Sequence, residues 1–250
     1  DPPTMSTAPK SLLSVVAQGA SGHTSTRAAI WRHALPFAVW IGIMMLPGDG
    51  AWWYAARAAV SLLVLLWCRP WEFYPAPRWS DWVYGVPVGI AVLIVWIGLE
   101  TPWAGRIPAI QEFYLTWMVL PLGDLPTVPD PSPYAPAVCG WPLTIVKLLG
   151  SAFVIASVEE FFWRGFLYRW LVDREFTETD LGAFEWQPFL LAVLFFGLEH
   201  HRWAAGLAAG VAYGGLMIWR RSIWAPVIAH VVTNLLLGLW VIQQNQYIFW

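Results

Sequence analysis

Charge is what this chain has least of. Asp, Glu, Lys and Arg together make up 12% of its 250 residues, about half the share of an ordinary soluble domain. Hydrophobic residues make up 58%, and the mean hydropathy is +0.54. That balance excludes a soluble domain and leaves a polytopic membrane protein. The formal net charge is −2 and the basic residues are scattered along the chain, so the clustered basic patch of a nucleic-acid-binding protein is missing too. Cysteine is scarce: Cys68 and Cys139 lack metal-ligand spacing. In the topology argued below they fall on opposite sides of the bilayer, which argues against a disulfide between them. The sequence has no HExxH, no internal repeat and no linker that would divide it into two domains.

Tryptophan, by contrast, is abundant, with 20 copies. Trp is enriched where a helix crosses the headgroup layer, and Trp52, Trp67, Trp82, Trp141, Trp219 and Trp240 all lie at the ends of apolar runs, as interfacial anchors do. Crossing a hydrocarbon core of about 30 Å takes about 17–25 helical residues. Apolar segments approaching or exceeding that length lie at 33–48, 51–68, 82–99, 142–171, 186–200, 204–220 and 222–242. Seven segments, two of them short, predict an all-α bundle of about seven to eight transmembrane helices. Residues 1–32 form an expected cytoplasmic or interfacial leader, and 33–250 a single transmembrane domain.

Lys and Arg concentrate on the cytoplasmic side of membrane proteins. With the N-terminus inside, Lys10, Arg27, Arg32, Arg69, Arg78, Arg169, Arg174, Arg220 and Arg221 all fall in cytoplasmic segments. Arg106 and Arg202 fall outside. Residues 100–141 are too rich in proline to continue a helix throughout. The aromatic, amphipathic stretch AIQEFYLTWMVL at 109–120 is expected to lie in the interface, the alternative being a short eighth crossing.

Charged groups inside a bilayer cost at least a few kcal/mol and usually mark function or tight pairing. Here they cluster at four-residue spacing in the last apolar segments. Glu160 and Arg164 stand at i and i+4 with the acid first, the favourable order for a helical ion pair. Glu159 is then left about 100° around the helix without a partner in sequence, a carboxylate available as a general base toward water. In FFGLEHH, residues 195–201, Phe196 lies one turn before His200. Glu199 could pair with Arg202, and His201 and Arg202 sit at a helix end where snorkelling suffices. In HVVTN, residues 230–234, His230 and Asn234 share a face and offer donors of the kind that hold an oxyanion. At 1.5 Å per residue, Glu159 and His200 lie roughly 20 Å, and His230 about 12 Å, from their cytoplasmic helix ends, so all three can meet near mid-membrane.

Gly206, Gly210 and Gly214 form a small-residue face for close helix packing, expected to draw the His200 helix toward the His230 helix. Pro226 is expected to kink the last helix. Each histidine alone could be an interhelical hydrogen-bonding strut; the combination with Glu159 and Asn234 is what points to chemistry. A proton-coupled transporter would use a similar relay, but would show paired repeats.

The three motifs in register, Glu159-Glu160-x-x-x-Arg164, Phe196-x-x-x-His200 and His230-x-x-x-Asn234, resemble those of the CAAX protease and bacteriocin-processing family. These are intramembrane glutamic endopeptidases related to the type II CAAX prenyl endopeptidases, and the likeness covers roughly residues 150–240. It implies that 142–242 holds the catalytic helices. Glu159 would be the general base with His200 as its partner, His230 and Asn234 the oxyanion site, Glu160 and Arg164 a buried structural pair, and Phe196 packing below the site. His201 leaves open which imidazole faces inward. The implied activity is hydrolysis of a peptide bond in a membrane-associated protein or peptide, with or without a lipid, and without cofactor or metal. Glu and His can also bind zinc, but here the ligands would come from three separate helices. The alternative within the family is a non-catalytic scaffold or bacteriocin-immunity protein. The implied setting is the bacterial inner membrane, with the lipid bilayer as a partner and nucleic acid excluded.

Overall fold

The computed structural model describes residues 12–98, 100, 107–119 and 130–250, with side chains from residue 26 onward. The described residues are all-helical. The helices are α1 (Leu12–Met44), α2 (Gly50–Cys68), α3 (Trp79–Gly98), α4 (Pro108–Trp117), α5 (Pro136–Val172), α6 (Trp186–Leu198), α7 (Trp203–Arg220) and α8 (Trp224–Gln244). Short 3₁₀ turns follow α2 and α8, at Pro70–Phe73 and Tyr247–Phe249. Among the described residues, α2 with its following turn, α3, α5 and α8 are long and apolar enough to cross a membrane. The chain is therefore an integral membrane protein.

Four such helices are fewer than the seven apolar segments expected. α6 is apolar but has only 13 residues. Neither α1 nor α7 joins the four; α7 is dominated by Gly and Ala, residues too small to carry much hydrophobicity. α4 has 10 residues and at 1.5 Å per residue is about 15 Å long. It is too short for an eighth crossing, as the interfacial expectation requires. α1 continues through position 32/33, where the cytoplasmic or interfacial leader was expected to end; residues 1–11 of that leader lie outside the described residues.

Two features of backbone chemistry shape the bundle. α5 breaks at Gly140, whose φ of 78° only glycine adopts easily. It then passes through two π-helical stretches, Gly150–Ile155 and Phe161–Tyr168, that bracket Ala156–Glu160. A π turn carries its hydrogen bonds one residue further back than an α turn and is common at functional sites. Carbonyls in these stretches take side-chain donors from other elements as well: Ser151 O from Asn234 at 3.1 Å, Gly165 O from Tyr74 Oη at 3.1 Å. The wide turns thereby tie α5 to its neighbours and aim Glu159 and Glu160 inward.

Glycine decides which helices lie closest. On α7, Gly206, Gly210 and Gly214 face Gly197, Val193 and Phe189 of α6. The small face therefore closes the α6–α7 hairpin and does not bring α6 to α8. The tight approach to α8 comes instead from α3, where a Cβ at Gly85 would meet Ala225 O at 2.9 Å and one at Gly89 would run into Ala229 O. Pro226 lies in the first turn of α8, which starts at Trp224. Its missing N–H is one that no helix uses there, so the expected kink has no cause. Aromatic stacking joins the front half to the back: Phe37 of α1 lies on Phe162 of α5 with centroids 4.0 Å apart and planes 5° from parallel.

Gly89→Ala should lower the melting temperature of detergent-solubilised protein, the strain of overpacking being about 1–3 kcal/mol. Gly42→Ala, at a position with open space around it, should leave it unchanged or raise it slightly. Equal behaviour of the two variants would contradict the α3–α8 contact.

Candidate active site

Glu160 is fully buried, and one of its oxygens serves two partners. Oε1 accepts from Arg164 Nη1 at 3.0 Å and from His230 Nδ1 at 2.9 Å. The carboxylate can only accept, so His230 carries its proton on Nδ1 and turns Nε2 away from Glu160. That Nε2 lies 3.8 Å from Glu159 Oε2. Glu159 Oε2 is itself buried and has no hydrogen-bond partner among the described residues.

Arg164 is held from three sides. Nη2 reaches Gly210 O of α7 at 3.4 Å, and the guanidinium carbon sits 4.0 Å from the Phe196 ring centroid and 5.5 Å from that of Tyr213. Phe196 does more than pack below the site, because its ring face meets the Arg164 charge. Glu160 and Arg164 form the pair that their spacing predicts, and the third member, His230, was outside the reach of spacing rules. Tyr213 stacks on His230 with centroids 4.9 Å apart at 24°. Its hydroxyl donates to Thr233 Oγ1 at 2.8 Å, in turn near Gly89 O at 2.8 Å.

His200 is not on a helix. α6 ends at Leu198, and His200 Nδ1 donates to Phe196 O at 2.8 Å, satisfying a carbonyl that a helix end leaves open. A carbonyl only accepts, so this bond places the proton on Nδ1 and leaves Nε2 as the acceptor of the ring. Trp96 and Phe196 flank the imidazole at centroid distances of 5.3 and 4.8 Å. His201, the other candidate, is exposed, so His200 is the imidazole that faces inward. No hydrogen bond or ion pair joins His200 to Glu159; the imidazole that approaches Glu159 is that of His230.

Asn234 uses one amide N–H on Ser151 O, which leaves its second N–H. Glu159, His200, His230, Asn234 and Phe196 line one cavity of about 160 Å3, together with Trp96, Lys147, Ser151, Tyr213 and Thr233. These last five were not singled out from sequence. For Lys147 a signal existed, a charge inside an apolar run; Tyr213, Trp96 and Thr233 read as ordinary membrane-helix residues until the packing is known.

Two neighbours behave differently from expectation. Arg202 pairs with Glu100 through two bonds of 2.6 and 2.8 Å, donates to Ile248 O, and lies buried against the Phe249 ring. It neither snorkels nor pairs with Glu199, because Glu100 offers both carboxylate oxygens to its planar fork. Glu199 accepts from Trp163 Nε1 at 3.0 Å instead. No group of three or more His, Cys, Asp or Glu among the described residues is arranged to hold a metal ion.

Apolar helices enclosing a cavity lined by carboxylate, imidazole and amide groups define the class of the molecule, an all-helical integral membrane protein with a buried cluster of polar groups. Comparison with known proteins adds a likeness to one family. Residues 141–236 match the model described as Rce1-like, type II CAAX prenyl endopeptidase, a span that includes every candidate site residue from Glu159 to Asn234. Over these residues the chain is similar to that family of membrane proteases, in agreement with the resemblance of its three motifs. No curated protein and no solved structure matches the chain.

Arg164→Met leaves the buried Glu160 charge short of its main partner and should cost about 3–5 kcal/mol of stability. Arg164→Lys should recover only part of that, since a single ammonium cannot reproduce the fork. Glu159→Gln should cost little by comparison, because the unpartnered Oε2 gives up no hydrogen bond. Unfolding of the three variants in detergent, followed by tryptophan fluorescence, checks the order; a Glu159→Gln loss as large as that of Arg164→Met would reverse the roles assigned to the two carboxylates.

Proposed function

We propose that this chain is a membrane-embedded endopeptidase in which Glu159 activates water for attack on a peptide carbonyl. The observation that carries the reading is the asymmetry of the two adjacent carboxylates. Oε1 of Glu160 is occupied by Arg164 and His230 and Glu160 does not line the cavity, while Glu159, held by no hydrogen bond among the described residues, does. A buried carboxylate in that condition is poised to accept a proton from water.

The chemistry needs no covalent enzyme intermediate. Glu159 removes a proton as the water oxygen attacks the scissile carbon, and the Nε2 acceptor of His200 orients the same water from the other side of the cavity. The carbonyl electrons move to oxygen, and the oxyanion is met by the free N–H of Asn234, while the Nε2 edge of His230, an acceptor with the ring proton on Nδ1, faces Glu159 and the water. Glu160, bound at Nδ1, fixes the direction of that edge, and Arg164 holds Glu160 in place. As the intermediate collapses, the C–N bond breaks and the proton held by Glu159 passes to the departing amine. The substrate is a protein or peptide, with or without a lipid, reaching the site from the membrane, and the setting is the bacterial inner membrane with the N-terminus in the cytoplasm.

The decisive experiment is cleavage of a quenched peptide library by purified protein in nanodiscs, with and without a chelator. Glu159→Gln should reduce cleavage by about 10²–10⁴, the usual contribution of a general base, and Asn234→Ala by about 10²–10³. Wild-type cleavage should survive chelation. A folded wild-type sample with no cleavage across substrates and lipids would favour the non-catalytic scaffold or immunity reading, and cleavage lost on chelation would require a metal.

A further inference from the structure

The cavity contains one group for which the reaction above has no use. Lys147 stands on α5 three turns before Glu159, and only 9% of it is exposed. Its Nζ lies 4.1 Å from the Tyr54 ring centroid, 4.9 Å from that of Tyr134 and 5.8 Å from that of Trp250. Among the described residues no carboxylate forms an ion pair with it. A lysine this deeply buried is nearly always paired. Ring faces attract an ammonium, but they leave its three N–H donors without acceptors.

The enclosure is built and held. Ser151 Oγ donates to Lys147 O at 2.8 Å, and Tyr54 Oη donates to Ser151 Oγ at 2.9 Å, which fixes the Tyr54 ring beside the ammonium. Lys147, Ser151 and Trp250 line the same cavity as Glu159, His200, His230 and Asn234. The structure thus presents a positioned cation, with donors to spare, at the cavity where the peptide bond would be cut.

We infer that Lys147 is a specificity-determining residue that binds a carboxylate of the substrate, either its C-terminal group or an Asp or Glu side chain. This rests on the endopeptidase reading for its biological meaning. A carboxylate supplies the acceptors the ammonium lacks, and the aromatic walls exclude water from the pair and so strengthen it. Because one cavity of about 160 Å3 serves both Lys147 and Glu159, the recognised carboxylate and the scissile bond lie within a few residues of each other.

Binding to the Glu159→Gln protein in phosphatidylcholine nanodiscs tests this without relying on hydrolysis. The probe is a hexapeptide library made with free C-terminal carboxylate or carboxamide, each with Asp and Glu present or replaced by Asn and Gln, with bound peptides quantified by mass spectrometry. Carboxylate-bearing peptides should be retained about 10–100-fold over their neutral counterparts, the range for a charge-assisted contact. The four forms show whether the terminus or the side chain is read. Adding Lys147→Met should abolish the preference, while Lys147→Arg, which keeps charge and donors, should retain it and guards against a folding defect in the Met variant. Equal retention of charged and neutral peptides, or a preference unchanged by Lys147→Met, overturns the assignment. So does a co-purifying anionic lipid that Lys147→Met releases while peptides show no charge preference, since the cation would then hold a phosphate headgroup. An absence of cleavage with charge-selective binding intact sinks the endopeptidase reading alone, and cleavage without charge preference sinks this one alone.

Discussion

The structure depends on one carboxylate oxygen. Glu160 Oε1 binds Arg164 and His230 at once, and through them it connects three helices. Arg164 lies on α5 with Glu160, His230 comes from α8, and the Arg164 guanidinium reaches on to the Gly210 carbonyl of α7. A charge with no exposure to solvent is tolerable in apolar surroundings only if its partners are in place. The same partners fix the ring of His230 and hence the direction in which its Nε2 points. Fold and site are coupled at that oxygen, and a loss at either end reaches the other.

Around it the bundle is organised so that polar backbone and side-chain groups find each other where apolar lipid offers them nothing. The π turns of α5 present carbonyls to Asn234 and Tyr74. The end of α6 is satisfied by the His200 ring. Glycine on α3 and α7 lets backbones approach closely enough for Thr233 to reach Gly89 O and for Arg164 to reach Gly210 O. Some buried groups elsewhere also stay unsatisfied, Ser61 Oγ, Tyr114 Oη and Glu160 Oε2 among them, but four others stand together: the Glu159 carboxylate, one N–H of Asn234, Nε2 of His200 and the ammonium of Lys147. These unspent groups line a single cavity, which is the physical basis for treating it as a reactive centre. The match of residues 141–236 to a protease family is independent of that geometry.

Much of this was legible beforehand because membrane sequences are strongly constrained. Apolar length marks the spanning helices, and five of the expected segments agree with helices to within a few residues. Charge in an apolar run is costly, so Glu159, Glu160, Arg164, His200 and His230 stood out, and the i, i+4 rule paired Glu160 with Arg164. Where the reading departed from the structure, the cause was distance in sequence. Arg202 found Glu100, 102 residues away, and not its near neighbour Glu199. The glycine face of α7 turned toward α6 because the face a helix buries is set by its neighbours.

By itself the sequence determined that the chain is an all-helical membrane protein, which intramembrane polar residues are candidates for its chemistry, and that Glu160 and Arg164 pair, since hydrophobic length, intramembrane charge and helical period are local properties. Tertiary structure alone decided that His230 completes the Glu160 pair and points at Glu159, that His200 and not His201 faces inward, and that Lys147 shares their cavity within an aromatic enclosure. Those facts depend on side chains 12 to 100 residues apart meeting in space. No spacing rule reaches so far, because the contacts are fixed by how the helices pack and not by the period of any one of them.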